Sequence, residues 1–485
     1  MGLTGCILGS LLAAVAQARV QPVWSGLAGG TNSEVRALAS HDADGEGPEP
    51  PRLYAGVGVW TFFAGEQLAL IAAWDGWKSS SVGGNDLTHT AGTGYSIIHV
   101  PEQFGMLSPG TFVGGDLYAA GGVPVRNLAR WLPPAWHDVG GGVEAGTIFA
   151  YVFCAHLFDE DGDGPLPPAL FVGGKFKTAG GMPIASLARW DGTTWSEVGG
   201  GLRDEKSSTL PIVYAMTLFD DDGPGPRPPA LYVGGNFDYA GDQTTRNIAR
   251  WDGATWEPVG PGFNATVESL CVFDEDREGP APPRLFAGGQ FNTTWGSPPN
   301  TLFRIARWDG ASWTPVGGWL SAGTVLSMLV WDADGTGPMK EDLYIGGLFN
   351  VLPDLSPVNK VARWDGQEWW PVGEGVWGFG QGTNVNAMAV FDEDGQGPNP
   401  GGLYVGGLFT YAGNVETRHV ARWGMPLPAS KCDPDCELDG DLDVFDYLCF
   451  LGRYAAQDPY ADCENDGDWD VFDFLCFQSQ FAAGC

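Results

Sequence analysis

Seven tryptophans, Trp74, Trp131, Trp190, Trp251, Trp308, Trp364 and Trp423, follow one another at separations of 57, 59, 61, 57, 56 and 59 residues. Self-similarity at a fixed period of this size marks a supersecondary unit that buries its apolar face only against copies of itself. One clear copy runs from Val213 to Phe219, through an Asp/Gly/Pro-rich turn, to Leu231-Tyr232-Val233-Gly234-Gly235-Asn236-Phe237. It continues into Asn247-Ile248-Ala249-Arg250-Trp251-Asp252-Gly253 and then Trp256-Glu257-Pro258-Val259-Gly260. Each copy therefore holds four short strand candidates. The first alternates apolar residues, and the second carries paired glycines that imply a bulge or a close backbone approach. The third runs into Asp-Gly, a tight-hairpin signal, and the fourth opens on a tryptophan and ends in Val-Gly.

The two ends decide between an open stack and a ring. Pro22-Val23-Trp24-Ser25-Gly26 matches a fourth strand, whereas the repeats stop at Ala421-Arg422-Trp423, a third strand. The spare leading strand supplies the missing one, which removes the exposed edges an open array must cap. Fourth-strand segments from Trp24, Trp77, Trp136, Trp195, Trp256, Trp313 and Trp369 then balance the seven third strands. The expected fold is all-β: a seven-bladed β-propeller of four-stranded blades over residues 22–424, closed by an N-terminal strand. Glycine (74), proline (36) and tryptophan (21) are abundant, as many turns punctuating aromatic strands require.

Charge narrows the partners. The formal net charge of −34, from 25 basic and 59 acidic side chains, repels nucleic acid and anionic membrane surfaces. Residues 1–18 form a short apolar run ending in Ala16-Gln17-Ala18, an export signal with its cleavage pattern and too short to be a membrane span. The expected location is secreted, extracellular or associated with the cell surface. Of nine cysteines, six fall in the last 54 residues: Cys432, Cys436, Cys449, Cys463, Cys476 and Cys485. In an exported chain that density implies disulfides, with 15 pairings open. Cys154 and Cys271 lie alone in apolar strands and read as buried thiols.

The repeats carry little recognisable chemistry. Six of seven have an acidic turn, such as Asp159-Glu160-Asp161 or Asp220-Asp221-Asp222. Such a turn could hold a hard cation, but it lacks the distal acidic ligand of a calcium loop, and Asp and Gly suit the turn itself. The recurring arginines (Arg130, Arg189, Arg250, Arg307, Arg363, Arg422) fit a structural role, bonding carbonyls or an acidic side chain of a neighbouring blade. The tryptophans are expected to pack between blades. Six scattered histidines form no metal pair, and no nucleophile elbow or phosphate loop is present. Symmetry breaks at residues 99–107, which replace the acidic turn of the second repeat, and at 295–302 and 351–360; a special binding face is expected there. The motif Leu-Tyr-Val-Gly-Gly-x-Phe followed by Ile-Ala-Arg-Trp-Asp-Gly resembles kelch-like propellers of secreted bacterial proteins, and the repeats of fungal cortical polarity markers. That resemblance implies a fold more than an activity.

After a linker at 425–431 the composition changes. Two segments 27 residues apart fit a twelve-residue EF-hand loop, Asp435 to Asp446 and Asp462 to Asp473. Positions 1, 3, 5, 9 and 12 are Asp435, Glu437, Asp439, Asp443 and Asp446, then Asp462, Glu464, Asp466, Asp470 and Asp473. Gly440 and Gly467 take the sharp turn, and Asp441 and Asp468 offer backbone carbonyls. Two calcium ions are expected in residues 432–485. Apolar helical stretches follow each loop, Tyr447 to Phe450 and Phe474 to Phe477. Loop–helix pairs ending in Asp resemble dockerin modules, and the cysteine-rich loops resemble the subtype of planctomycete-like bacteria. The resemblance implies attachment to a cohesin-type protein or surface scaffold, read out by loop positions 10 and 11, here Val444, Phe445, Val471 and Phe472. The expectation is a non-enzymatic binding or adhesion propeller held by this tail. The alternative is a secreted carbohydrate-active enzyme or lectin, with polysaccharide as ligand on the propeller.

Overall fold

The computed structural model describes residues 22–426 except 28–29, 43–50, 59–60, 64–65, 69–70, 77–78, 84–90, 147, 163, 206–209, 224, 226, 278, 280, 297, 319–322, 334, 336–339, 353–356, 379–381 and 394–400, together with 444–455 and 477. Val23–Gly424 is one compact unit, and Met425–Cys485 belong to another. Among the described residues the first unit is all-β; six of its antiparallel sheets have four strands and a seventh has five, and all seven share one repeated order of four. Their first strands are Ala37–His41, Ala91–Val100, Tyr151–Phe158, Ile212–Phe219, Val267–Phe273, Val325–Trp331 and Asn384–Phe391. Each lies against the first strand of the next sheet, and Asn384–Phe391 lies in turn against Ala37–His41, so the circuit closes. This is a β-propeller-like arrangement.

Closure is made by the leading segment. Val23–Gly26 pairs with Val420–Gly424, with Trp24 opposite Trp423, as the outermost strand of the seventh sheet. Six of the seven third-strand tryptophans face a fourth-strand tryptophan across the hairpin, with ring centroids 5.0–5.4 Å apart and planes tilted by 41–52°. The fourth-strand indole N–H then donates to a carbonyl of the preceding sheet: Trp24 to Val372, Trp195 to Gly140, Trp256 to Val198, Trp313 to Val259 and Trp369 to Val316, at 3.0–3.2 Å. The tryptophans thus join neighbouring sheets, as a residue with a large apolar body and one donor does best. The first sheet departs from the expected pattern. Its third-strand Trp74 faces Ser79, which is buried, and not an indole. The hairpin spacing of five residues, which Trp77 does not satisfy, fixes that register.

The glycine pair of each second strand has a packing cause. Every first strand from the second sheet onward has a register shift, as between Val213 and Ala215 or Val267 and Ser269. A Cβ on Gly234 would come within 2.6 Å of the Val267 side chain of the next sheet, and one on Gly235 within 2.0 Å of the Ile212 carbonyl. The bulge therefore lies on the first strand, and the glycines opposite give it and the neighbouring sheet room. Apolar residues at the sheet interfaces, among them Val213, Leu231, Val233 and Trp256, form clusters shared between adjacent sheets.

In the second unit, Val444–Ala455 is a helix. Phe450 and Phe477, 27 residues apart like the two loops, stack face to face at 4.0 Å and are fully buried.

Candidate functional site

A bulge places one extra residue in a strand and re-aims its side chain. The extra residues are Tyr95, Phe153, Tyr214, Glu268, Leu326 and Asn386. With Arg36 of the first sheet, all of them line one cavity of about 410 Å³, to which every first strand contributes. These positions vary in chemistry while their flanks repeat, which is how a symmetric scaffold carries an asymmetric site.

One side of the ring is aromatic. Phe153 stacks on Tyr151 at 5.4 Å and on Tyr214 at 5.0 Å, and Tyr95 meets Tyr151 and Phe153 edge-on. All four rings are partly exposed. The other side is polar. Arg36 lies 5.3 Å from the Tyr95 ring centre and pairs with Glu34 at 2.6 Å. Asn386 donates to Glu34 at 2.8 Å and to the Val35 carbonyl at 3.0 Å, and Gln290 donates to Glu268 at 2.8 Å. Burial holds the Glu268 carboxyl above its usual range, partly offset by the bond from Gln290. Burial, and then the nearby Glu268, push the Tyr214 phenol up to about 12. Flat apolar rings beside amide, carboxyl and guanidinium groups suit a ligand with apolar faces and hydroxyl-rich edges.

Five of the six repeated arginines take structural partners among the described residues. Arg189 pairs with Glu160 at 2.5 Å and Arg307 with Glu275 at 2.5 Å, while Arg422 pairs with Glu393. In each case the acid comes from the turn of the arginine's own sheet, not a neighbouring one. The same carboxylate reaches the neighbour: Trp251 donates to Glu160 at 2.7 Å and Trp364 to Glu275 at 2.8 Å. Where the sixth turn has Ala333, Arg363 bonds Asp342 instead. Asp161, Asp222 and Asp276 each accept a backbone N–H five residues further on. The convergent carboxylates Asp220, Asp221 and Asp222 have Arg227 and Arg250 beside them. These turns are thus spent on structure.

Cys154 and Cys271 are free thiols whose ionisation burial opposes, the second being pushed up to about 12. Of the sequence-assigned positions, Asp435 to Asp443, Asp462 to Asp473 with Val471 and Phe472, the cysteines Cys432, Cys436, Cys463, Cys476 and Cys485, and residues 1–18 lie outside the described residues. Val444, Phe445 and Asp446 open the helix Val444–Ala455, and Cys449 lies on that helix. Among the described residues no helix is long and apolar enough to cross a membrane. The bulge residues escaped the sequence reading, although one signal was available: each follows the repeated valine at the start of a first strand, except Tyr95, which follows Gly94.

No family model matches the chain, and no curated protein matches it. Solved structures similar to it include BBS1N in complex with ARL6DN, at 12% identity and a TM-score of 0.40, covering 84% of this chain and 98% of that one. Sqt1 of Saccharomyces cerevisiae is similar at 8% identity and a TM-score of 0.27, covering 68% of this chain and 96% of that one. The biofilm matrix protein Bap1 of V. cholerae is similar at 12% identity and a TM-score of 0.25, covering 81% of this chain and 77% of that one.

Proposed function

We propose that this chain is an exported, non-enzymatic seven-bladed β-propeller that binds polysaccharide at its bulge ring. A calcium-loaded, dockerin-like tail holds it to a cohesin-type protein or surface scaffold. The observation that carries the binding reading is the partly exposed aromatic row Tyr95, Phe153 and Tyr214, backed by Tyr151 stacked on Phe153, which lines one cavity with Glu268 and Asn386. The tail rests on its two twelve-residue loops, and the buried stack of the equivalent Phe450 and Phe477 supports a two-fold module. A lectin reading uses the same row. The enzyme reading needs a second carboxyl placed across the ligand from Glu268.

Retention of the full chain on insoluble polysaccharides, with analysis of the supernatant for new reducing ends, separates these readings. Retention without new ends supports a binder, and accumulating ends refute it. For the tail, native mass spectrometry in calcium should show two bound ions, lost together with helicity upon chelation. Unchanged mass and helicity in chelator would refute the calcium reading.

A further inference from the structure

The glutamate that bridges sheets in the third and fifth repeats has no counterpart in the second. In those repeats one carboxylate accepts from the repeat arginine and from the indole N–H of the next sheet: Glu160 gives one oxygen to Arg189 and the other to Trp251, while Glu275 meets Arg307 with both oxygens and Trp364 with one of them. The backbone there passes over a glycine of the next hairpin, Glu160 over Gly253 and Glu275 over Gly366. In the second repeat the residue passing over the equivalent Gly192 is Met106, which is 47% exposed. Arg130 and Trp190, the arginine and indole that a glutamate would have joined, remain.

Both face an open space. Arg130, Trp190 and Gly192 line a cavity of about 170 Å³ together with Leu107, Ser108 and Asp138. Among the described residues Arg130 makes no ion pair or hydrogen bond, and burial lowers its affinity for the proton with no carboxylate to restore it. Asp138 is the only acid on the lining, and its carboxylate accepts the Gly141 N–H at 2.7 Å. A guanidinium and an indole N–H, set where two sister sites hold one carboxylate, are a vacant receptor for that group.

We infer that this cavity binds a carboxylate supplied from outside the chain, one oxygen on the Arg130 guanidinium and the other on the Trp190 indole N–H. The site is separate from the bulge ring and stands whether or not that ring binds polysaccharide.

Calorimetric titration of the full chain with propionate, the glutamate side chain in isolation, tests it, with the neutral isostere propionamide as control. Propionate is expected to bind at a single site and propionamide at none. Arg130→Gln and Trp190→Phe should each weaken propionate at least tenfold. Met106→Glu, which supplies the carboxylate from within, should abolish binding and raise the unfolding temperature, so a folding defect in the other variants does not decide the outcome. N-acetylglutamate and galacturonate as separate arms assign the source, peptide or acidic sugar, by whichever exceeds propionate; if neither does, the ligand is a small free acid. Equal binding of propionate and propionamide, no binding of either, or undiminished binding to Arg130→Gln and Met106→Glu would overturn the inference.

Discussion

Removing the Trp24 side chain should open the ring. Trp24 is 7% exposed, stacks obliquely on Trp423 at 5.2 Å and donates its indole N–H to Val372 of the preceding sheet at 3.2 Å. Trp256 occupies the corresponding place within the fourth sheet, 5% exposed, 5.1 Å from Trp251 and bonded to Val198 at 3.2 Å. Truncating a buried tryptophan to alanine costs about 3–5 kcal/mol, of which the hydrogen bond supplies about 1. If the leading strand closes the ring as any internal fourth strand does, Trp24→Ala and Trp256→Ala should destabilise by similar amounts. Guanidinium unfolding of the two variants beside the parent measures this through the midpoint shift at common slope. A Trp24→Ala shift under a third of the Trp256→Ala shift would mean that Val23–Gly26 contributes little to closure, and the closing role assigned to it fails.

Glu160→Gln should destabilise by about 3–5 kcal/mol in the same assay, because it removes the counter-charge of the nearly buried Arg189 and leaves a single acceptor oxygen for two donors, the guanidinium and the Trp251 indole. Phe153→Ala and Tyr214→Ala should weaken retention on polysaccharide while leaving the unfolding midpoint nearer the parent value than Trp256→Ala does; unaltered retention would remove the aromatic row from the site. His41 stacks between Tyr54 at 4.0 Å and His99 at 4.3 Å, and burial first, then His99, lowers its pKa to about 3. The folded state holds this ring neutral, so its contribution is complete above the unfolded value near 6.5. Stability is lost as pH falls from there toward 3, by up to about 1.4 kcal/mol per pH unit. Thermal midpoints at pH 7.5 and 5.0 should differ less in His41→Gln than in the parent, and an equal difference would refute that origin.

The repeat was legible because tryptophan at a period near 58 survives any local irregularity, and the pairing of Trp24 with Trp423 followed from matching an orphan fourth strand to an orphan third. Three features were not. The bulge inverts side-chain phase for one residue, so alternation alone assigns Phe153 and Tyr214 to no face. Trp77 carries the right side chain, but hairpin register puts Ser79 opposite Trp74. The arginines were read as structural, yet which acid each one meets depends on turn geometry. A glutamate one methylene longer than Asp221 reaches both its own arginine and the next sheet's indole. The calcium loops stand as motif alone, since every assigned ligand except Asp446, at the start of the helix Val444–Ala455, lies outside the described residues.

The strand through which the chain leaves the first unit, Val420–Gly424, is an interior one, hydrogen-bonded to Gly402–Leu408 on one side and to Val23–Gly26 on the other. Tension transmitted from residue 425 onward must therefore break two ladders together, whereas an outermost strand would peel away along one. Were the chain to hold a ligand on its ring and an anchor on its tail, as proposed, that placement would give it mechanical endurance. The short leading segment acts as a clamp on the point of traction.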